Sequence, residues 1–143
     1  MGILDKWFGS SPSYPVLAAD DRAQAKLDEI KMELEELAHK VDDHLEVVPS
    51  EHAAYVFMGK PPKRFGIAWI HDGKVSSLKE LADENQLSPG KVEQLMGELR
   101  VAYEHASESP RYTAHLTDTD VVVIPSEGLE REVHEIIDGA LHH

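Results

Sequence analysis

Between residues 20 and 48 apolar residues recur at Ala23, Leu27, Ile30, Leu34, Leu37, Val41 and Val48. They are separated by alternating steps of four and three and a last step of seven. This is heptad spacing, with Leu27, Leu34, Val41 and Val48 on one line and Ala23, Ile30 and Leu37 on the adjoining one. It predicts a helix from Asp20 or Asp21 to Val48, with acidic residues at its positive end and Pro49 as its stop. At about 1.5 Å per residue the helix is about 40 Å long. A small domain does not cover such a length by itself, so a second copy of the chain is the expected partner. The dimerisation seam is then Leu27, Ile30, Leu34, Leu37 and Val41. A parallel pair would set Lys26 against Lys31 and Glu33 against Ala38, which gains nothing. Antiparallel pairing, or packing against the C-terminal helix, is as plausible.

The pattern then changes period. Residues 53–58 and 65–70 are apolar runs of strand length, joined by a loop at 59–64. Asp72-Gly73 is a tight-turn signal, and Val75 begins a short return strand. Helical spacing resumes at Leu78, Leu81 and Ala82. It continues after a break through Val92, Leu95, Met96, Leu99, Ala102 and Tyr103. Ser88 is placed to cap the second of these helices, and Pro89 fits its first position. Tyr112, Ala114 and Leu116 alternate. Thr117 to Asp120 form a polar turn, and Val121 to Ile124 form a strand buried on both sides. Ser126 caps a last helix with Leu129, Val133, Ile136, Ile137, Ala140 and Leu141 on its apolar side.

Residues 78–103, two helices around a tight turn, resemble a helix-turn-helix, and the strand pair behind them resembles a wing. The resemblance is to the winged-helix superfamily. It places Ala82 at the close helix crossing, Leu87 at the apolar turn position, and Val92 and Leu95 toward the core. Gln86 stands where glycine usually supplies a positive φ. Asn85 stands where an apolar residue is usual, so a turn shifted by one residue is a second arrangement. On the exposed side Gln94 is suited to reading adenine, while Glu93 and Glu98 meet phosphate with the wrong sign. Candidate contacts to nucleic acid or a partner are Lys60, Lys63, Arg64, Ser88, Lys91, Gln94 and Arg111.

The fold class expected is α+β: a winged-helix-like domain with a long N-terminal heptad helix and a C-terminal amphipathic helix. Its segments are 1–15, a short amphipathic stretch with a linker; 16–49, the heptad helix; 50–125, the winged-helix-like domain; and 126–143, the C-terminal helix. Ile3, Leu4, Trp7 and Phe8 share a face in the first segment. Docking on the chain's own core or on a second copy is the main reading of that face, and contact with a membrane surface is the minor one.

Charge changes the functional picture most. The 143 residues carry a net charge of −13. Residues 1–50 hold five Lys/Arg against eleven Asp/Glu, 51–112 eight against nine, and 113–143 one against seven. A general nucleic-acid binder needs a positive face, and this chain has at best a neutral centre. Cysteine is absent, which excludes disulfides, thiolate metal sites and cysteine nucleophiles. The nine histidines have no metal-motif spacing, and no hydrolase or phosphate-loop motif occurs. No catalytic, metal or cofactor-binding residue is assigned, and no cofactor is expected. With no signal peptide and no apolar run of ~18–20 residues, a cytoplasmic location is expected. The expected function is a non-enzymatic oligomeric regulator or adaptor that binds protein and forms a homodimer. The alternative is a dimeric DNA-binding transcription regulator of winged helix-turn-helix type.

Overall fold

The computed structural model describes residues 14–18, 21–41, 45–51, 53–60, 64–117 and 119–141, with Lys60, Arg64 and Phe65 entering as backbone only. Helices α1 (Arg22–Glu29) and α2 (Lys31–Lys40) come first. Strands β1 (Leu45–Ser50), β2 (Ala53–Lys60), β3 (Arg64–His71) and β4 (Lys74–Ser77) follow. Then come α3 (Leu78–Glu84), α4 (Pro89–His105), β5 (Tyr112–His115), β6 (Asp120–Val123) and α5 (Glu127–Leu141). The class is α+β. The six strands form one sheet in the order β4-β3-β2-β1-β6-β5. Neighbours are antiparallel except β1 and β6, which run parallel with Glu46 opposite Val122.

The sheet has a helical layer on each face. On one side Leu45, Val47, Ala54, Val56, Ala68, Ile70, Val121 and Val123 meet Ala23, Leu27, Ile30, Leu34 and Leu37 of α1 and α2. On the other, Val48, Tyr55, Phe57, Ile67 and Ile124 meet Leu78, Leu95, Leu99 and Ala102 of α3 and α4, and Leu129, Val133 and Ile137 of α5. The period-two alternation of strands assigns neighbouring residues to opposite cores. β1 sits inside the sheet with both faces covered, so Leu45 to Pro49 are all buried, Glu46 among them.

The N-terminal helix differs from expectation. It ends at Lys40 and is interrupted at Ile30, whose φ of −119° and ψ of 19° close α1 and open α2. Val48 lies in β1, so its fit to the heptad is a coincidence of a strand buried on both faces. The seam residues Leu27, Ile30, Leu34 and Leu37 are buried against the chain's own sheet, and Val41 is half-buried just beyond α2. A sheet of six strands supplies the cover that the length argument assigned to a second copy. The C-terminal helix packs on α4 and β1, with the sheet between it and α1–α2.

Local signals in the centre are realised closely. Asp72 and Gly73 both take positive φ, 52° and 72°, the geometry of a two-residue hairpin. Ser77 and Glu80 form a reciprocal capping box on α3, at 2.8 and 3.1 Å. The Ser88 hydroxyl accepts the Lys91 N–H at 3.1 Å to cap α4. Gln86 takes the left-handed φ of 57° while Asn85 has a φ of −107°, so the turn keeps the usual position rather than shifting. The pair β5–β6 does not stand free as a wing: β6 is inside the sheet, between β5 and β1.

Candidate functional site

The helix pair α3 and α4 builds a groove rather than a cationic face. α3 and the first two turns of α4 diverge from the end of the β2–β3 hairpin and leave a cleft of about 720 Å³. Met58, Ile67, Leu78, Leu87, Val92 and Met96 line it, with Lys79, Asp83 and Glu93 also on the lining. It is an open depression with a mostly apolar lining and a few polar groups at its margin. The flexible side chains of Met58 and Met96 leave the lining adaptable in shape. Gly90 lies on the lining, and a Cβ there would meet no described atom within 4 Å.

The layer that carries the groove is acidic. Helices α3, α4 and α5 hold four Lys/Arg against eleven Asp/Glu. Helices α1 and α2 hold four against five. The molecule therefore presents one strongly negative helical face and one nearly neutral one.

A second constellation sits where the C-terminal end of α4 meets the sheet. Glu46 projects from β1 with 1% exposure. Its Oε2 accepts the Tyr103 hydroxyl at 3.0 Å, and its Oε1 accepts Arg111 Nε at 3.3 Å. Arg111 Nη1 donates to the carbonyls of Ala106 and Ser109, both at 3.1 Å. Its guanidinium lies 5.8 Å from the Tyr103 ring centroid. Burial, and then the neighbouring Glu46 carboxylate, push the Tyr103 phenol up to about 12. Tyr14, Ser107 and Glu104 share with these residues a cleft of about 510 Å³. Both carboxylate oxygens of Glu46 are engaged and the guanidinium is tied to backbone, so the arrangement clamps the α4–β5 connection to the sheet.

A third group lies near the other end of the same face. The Tyr55 hydroxyl and His134 Nδ1 are 2.7 Å apart, and Tyr55 stacks on Trp69, which stacks on His71 at 3.7 Å. Burial raises the Tyr55 phenol well above its ordinary value, assisted by Glu130 and Asp138. Trp69 Nε1 and Ser76 Oγ, on directly paired residues of β3 and β4, are buried without a hydrogen-bond partner. Among the described residues no group of three or more His, Asp or Glu is arranged to hold a metal.

The structure scatters the candidate contacts. Ser88 is a cap. Lys91 and Gln94 line a cleft between α4 and α5 beside Glu98, Glu132 and Glu135, and Gln94 donates to Glu98 at 3.2 Å. Arg111 is in the ion pair with Glu46, about a tenth exposed. Lys60 and Arg64 are a backbone pair closing the β2–β3 hairpin, and Lys63 lies outside the described residues. So does the amphipathic face of residues 1–9. Sequence reasoning missed the groove and Glu46 alike. The groove arises from the angle between elements distant from one another, and one glutamate among many carries no mark of burial. No protein-family model matches the chain, and no match was found to a curated protein or a solved structure. No helix among the described residues is long and apolar enough to cross a membrane.

Proposed function

We propose that this protein is a non-enzymatic adaptor or regulator that binds protein through the groove between α3, α4 and the β2–β3 hairpin. The observation that carries the reading is the open apolar cleft of about 720 Å³ on an acidic helical layer. Such a surface excludes polyanions and offers desolvation to an apolar segment. Homodimerisation is part of the reading. It would use a surface other than the Leu27–Leu37 stripe, which the sheet already covers. The test compares proteins captured from native lysate by wild type and by Gly90→Arg, which places a long side chain in the cleft mouth. The reading expects a species held by wild type and lost with the variant. Identical capture by both removes the groove from the function. Light scattering at micromolar concentration tests the dimer, and a mass of 16.0 kDa refutes it.

The alternative is a dimeric winged-helix-type DNA-binding regulator. In its favour are the capped α3-turn-α4 geometry and the exposed Gln94. Against it stand Glu93 and Glu98 on the same helix. Titration with random duplex DNA over a salt series decides between the two. The adaptor reading expects no binding at low salt, whereas affinity falling with a counterion-release slope supports the DNA reading.

A further inference from the structure

The ion pair of Glu46 and Arg111 lines the cleft of about 510 Å³ at the end of α4 remote from the groove. Its clamping role uses only part of the guanidinium. Nε donates to Glu46, and Nη1 donates to the carbonyls of Ala106 and Ser109. Among the described residues the second terminal nitrogen, Nη2, has no hydrogen-bond partner. The side chain is nine-tenths buried, so an oxygen acceptor at that nitrogen gains more than it would in open water. Three other polar groups of the lining also have no partner among the described residues: the Glu104 carboxylate and the hydroxyls of Ser107 and Ser109. We propose that this cleft binds a small zwitterion of the amino-acid class. Its carboxylate accepts from Arg111 Nη2 and the serine hydroxyls, and its ammonium donates to Glu104. The site does not depend on the groove between α3 and α4, nor on any partner that uses it.

The balance of charge selects the class of ligand. The lining holds one cation, Arg111, against two anions, Glu46 and Glu104. Glu46 already neutralises the guanidinium at 3.3 Å. A simple anion therefore meets a donor but no net attraction, and Glu104 repels it. A simple cation has only an exposed carboxylate to pair with, and such a pair is worth little. A molecule carrying both charges satisfies Nη2 and Glu104 together and adds no net charge to the cleft. Once one end is held, the other binds from within the same molecule, so two weak contacts reinforce each other. Tyr14 and Tyr103 also line the cleft, and aromatic rings offer apolar surface to the carbon skeleton between the two charges.

The test titrates the full chain and follows its backbone amide shifts by NMR. Glycine, β-alanine and γ-aminobutyrate are the probes, with acetate and methylammonium as single-charge controls. The zwitterions differ in the separation of their charges, so their ranking reads the span from Nη2 to Glu104. The proposal expects saturable millimolar binding of at least one zwitterion, several-fold tighter than either control, with shifts centred on Ser107, Ser109 and Arg111. Free amino acids and methylated osmolytes share this chemistry. Trimethylating the nitrogen of the best probe removes every N–H available to Glu104 and should weaken it several-fold. Glu104→Gln changes an exposed side chain and should bring zwitterion affinity down to that of acetate. Arg111→Lys keeps a cation beside Glu46 but removes Nη2, and should abolish the shifts, with circular dichroism checking the fold. If Arg111→Lys unfolds, Glu104→Gln decides alone. No saturable shift with any of the zwitterions overturns the proposal. So does a control or a trimethylated probe that binds as tightly, or a folded variant that titrates like wild type.

Discussion

A single residue decides the geometry of the central turn. Gln86 holds a φ of 57°, a region in which a side chain with a Cβ is strained by about 1–2 kcal/mol. Gln86→Gly relieves that strain but loses some of the gain to the freer unfolded chain. A rise in stability of about 1 kcal/mol is expected, read as a higher urea midpoint with unchanged slope. Arg111 is a sharper case. Arg111→Ala leaves the Glu46 carboxylate buried without its cation, and a loss of about 3–5 kcal/mol is expected. A double variant that also carries Glu46→Ala should lose much less than the sum of the two single losses, and a double-mutant cycle measures the difference. The pH dependence of Tyr103 has a definite sign. Its folded phenol titrates near 12, above the ordinary value of about 10, because burial and Glu46 disfavour the phenolate. Its contribution is complete below pH 10 and is lost as pH rises through 10 to 12. Denaturant midpoints should therefore fall across that window, and Tyr103→Phe should flatten the fall.

At the scale of elements, local chemistry was legible and the partners of each element were not. Ser88 and Pro89, Asp72-Gly73, and the apolar faces of α4 and α5 are readable because each signal is spelled within a few residues; the Ser77–Glu80 capping box, equally local, went unread. The capped helix pair was read correctly. The strand pair behind it is present as well, but it is built into the sheet because β6 pairs with β1, far earlier in the chain, and no local pattern states that. The stripe from Ala23 to Leu37 was also read correctly as a stripe and wrongly as one unbroken helix. Heptad spacing describes any helix with one buried line and does not specify whether a helix or a sheet covers it. The difference is testable. Leu34 is fully buried over the sheet, so Leu34→Ala leaves a cavity costing about 2–5 kcal/mol. Its unfolding midpoint should fall by the same amount at 1 and at 100 μM protein, whereas an interchain seam would make the loss depend on concentration.

Across the whole molecule, the sheet separates two helical layers of different charge and different openness. The acidic layer bears the groove, the clamp and the tyrosine cluster; the other layer completes a core. Concentrating carboxylates on one helical layer gives that side a field that repels polyanions. The candidate site was legible only as a region, residues 78–103. Its concavity depends on Met58 and Ile67 arriving from the sheet, and side chains that meet only after folding leave no periodic trace.

The clamp also bears on how the chain is made. During synthesis β1 to β4 can pair as an antiparallel meander before β6 exists, and β1 is then the open edge of a growing sheet. Glu46 is the second residue of that edge strand, and Arg111 is 65 residues further on. Until it arrives, the carboxylate keeps its water and resists being covered, as charges on natural sheet edges do. The same glutamate that is anchored in the finished molecule would thus act as a gatekeeper in the unfinished one. Glu46→Leu should refold with more turbidity from dilute denaturant even where the native state tolerates it, and a refolding yield that does not fall with protein concentration would refute that role.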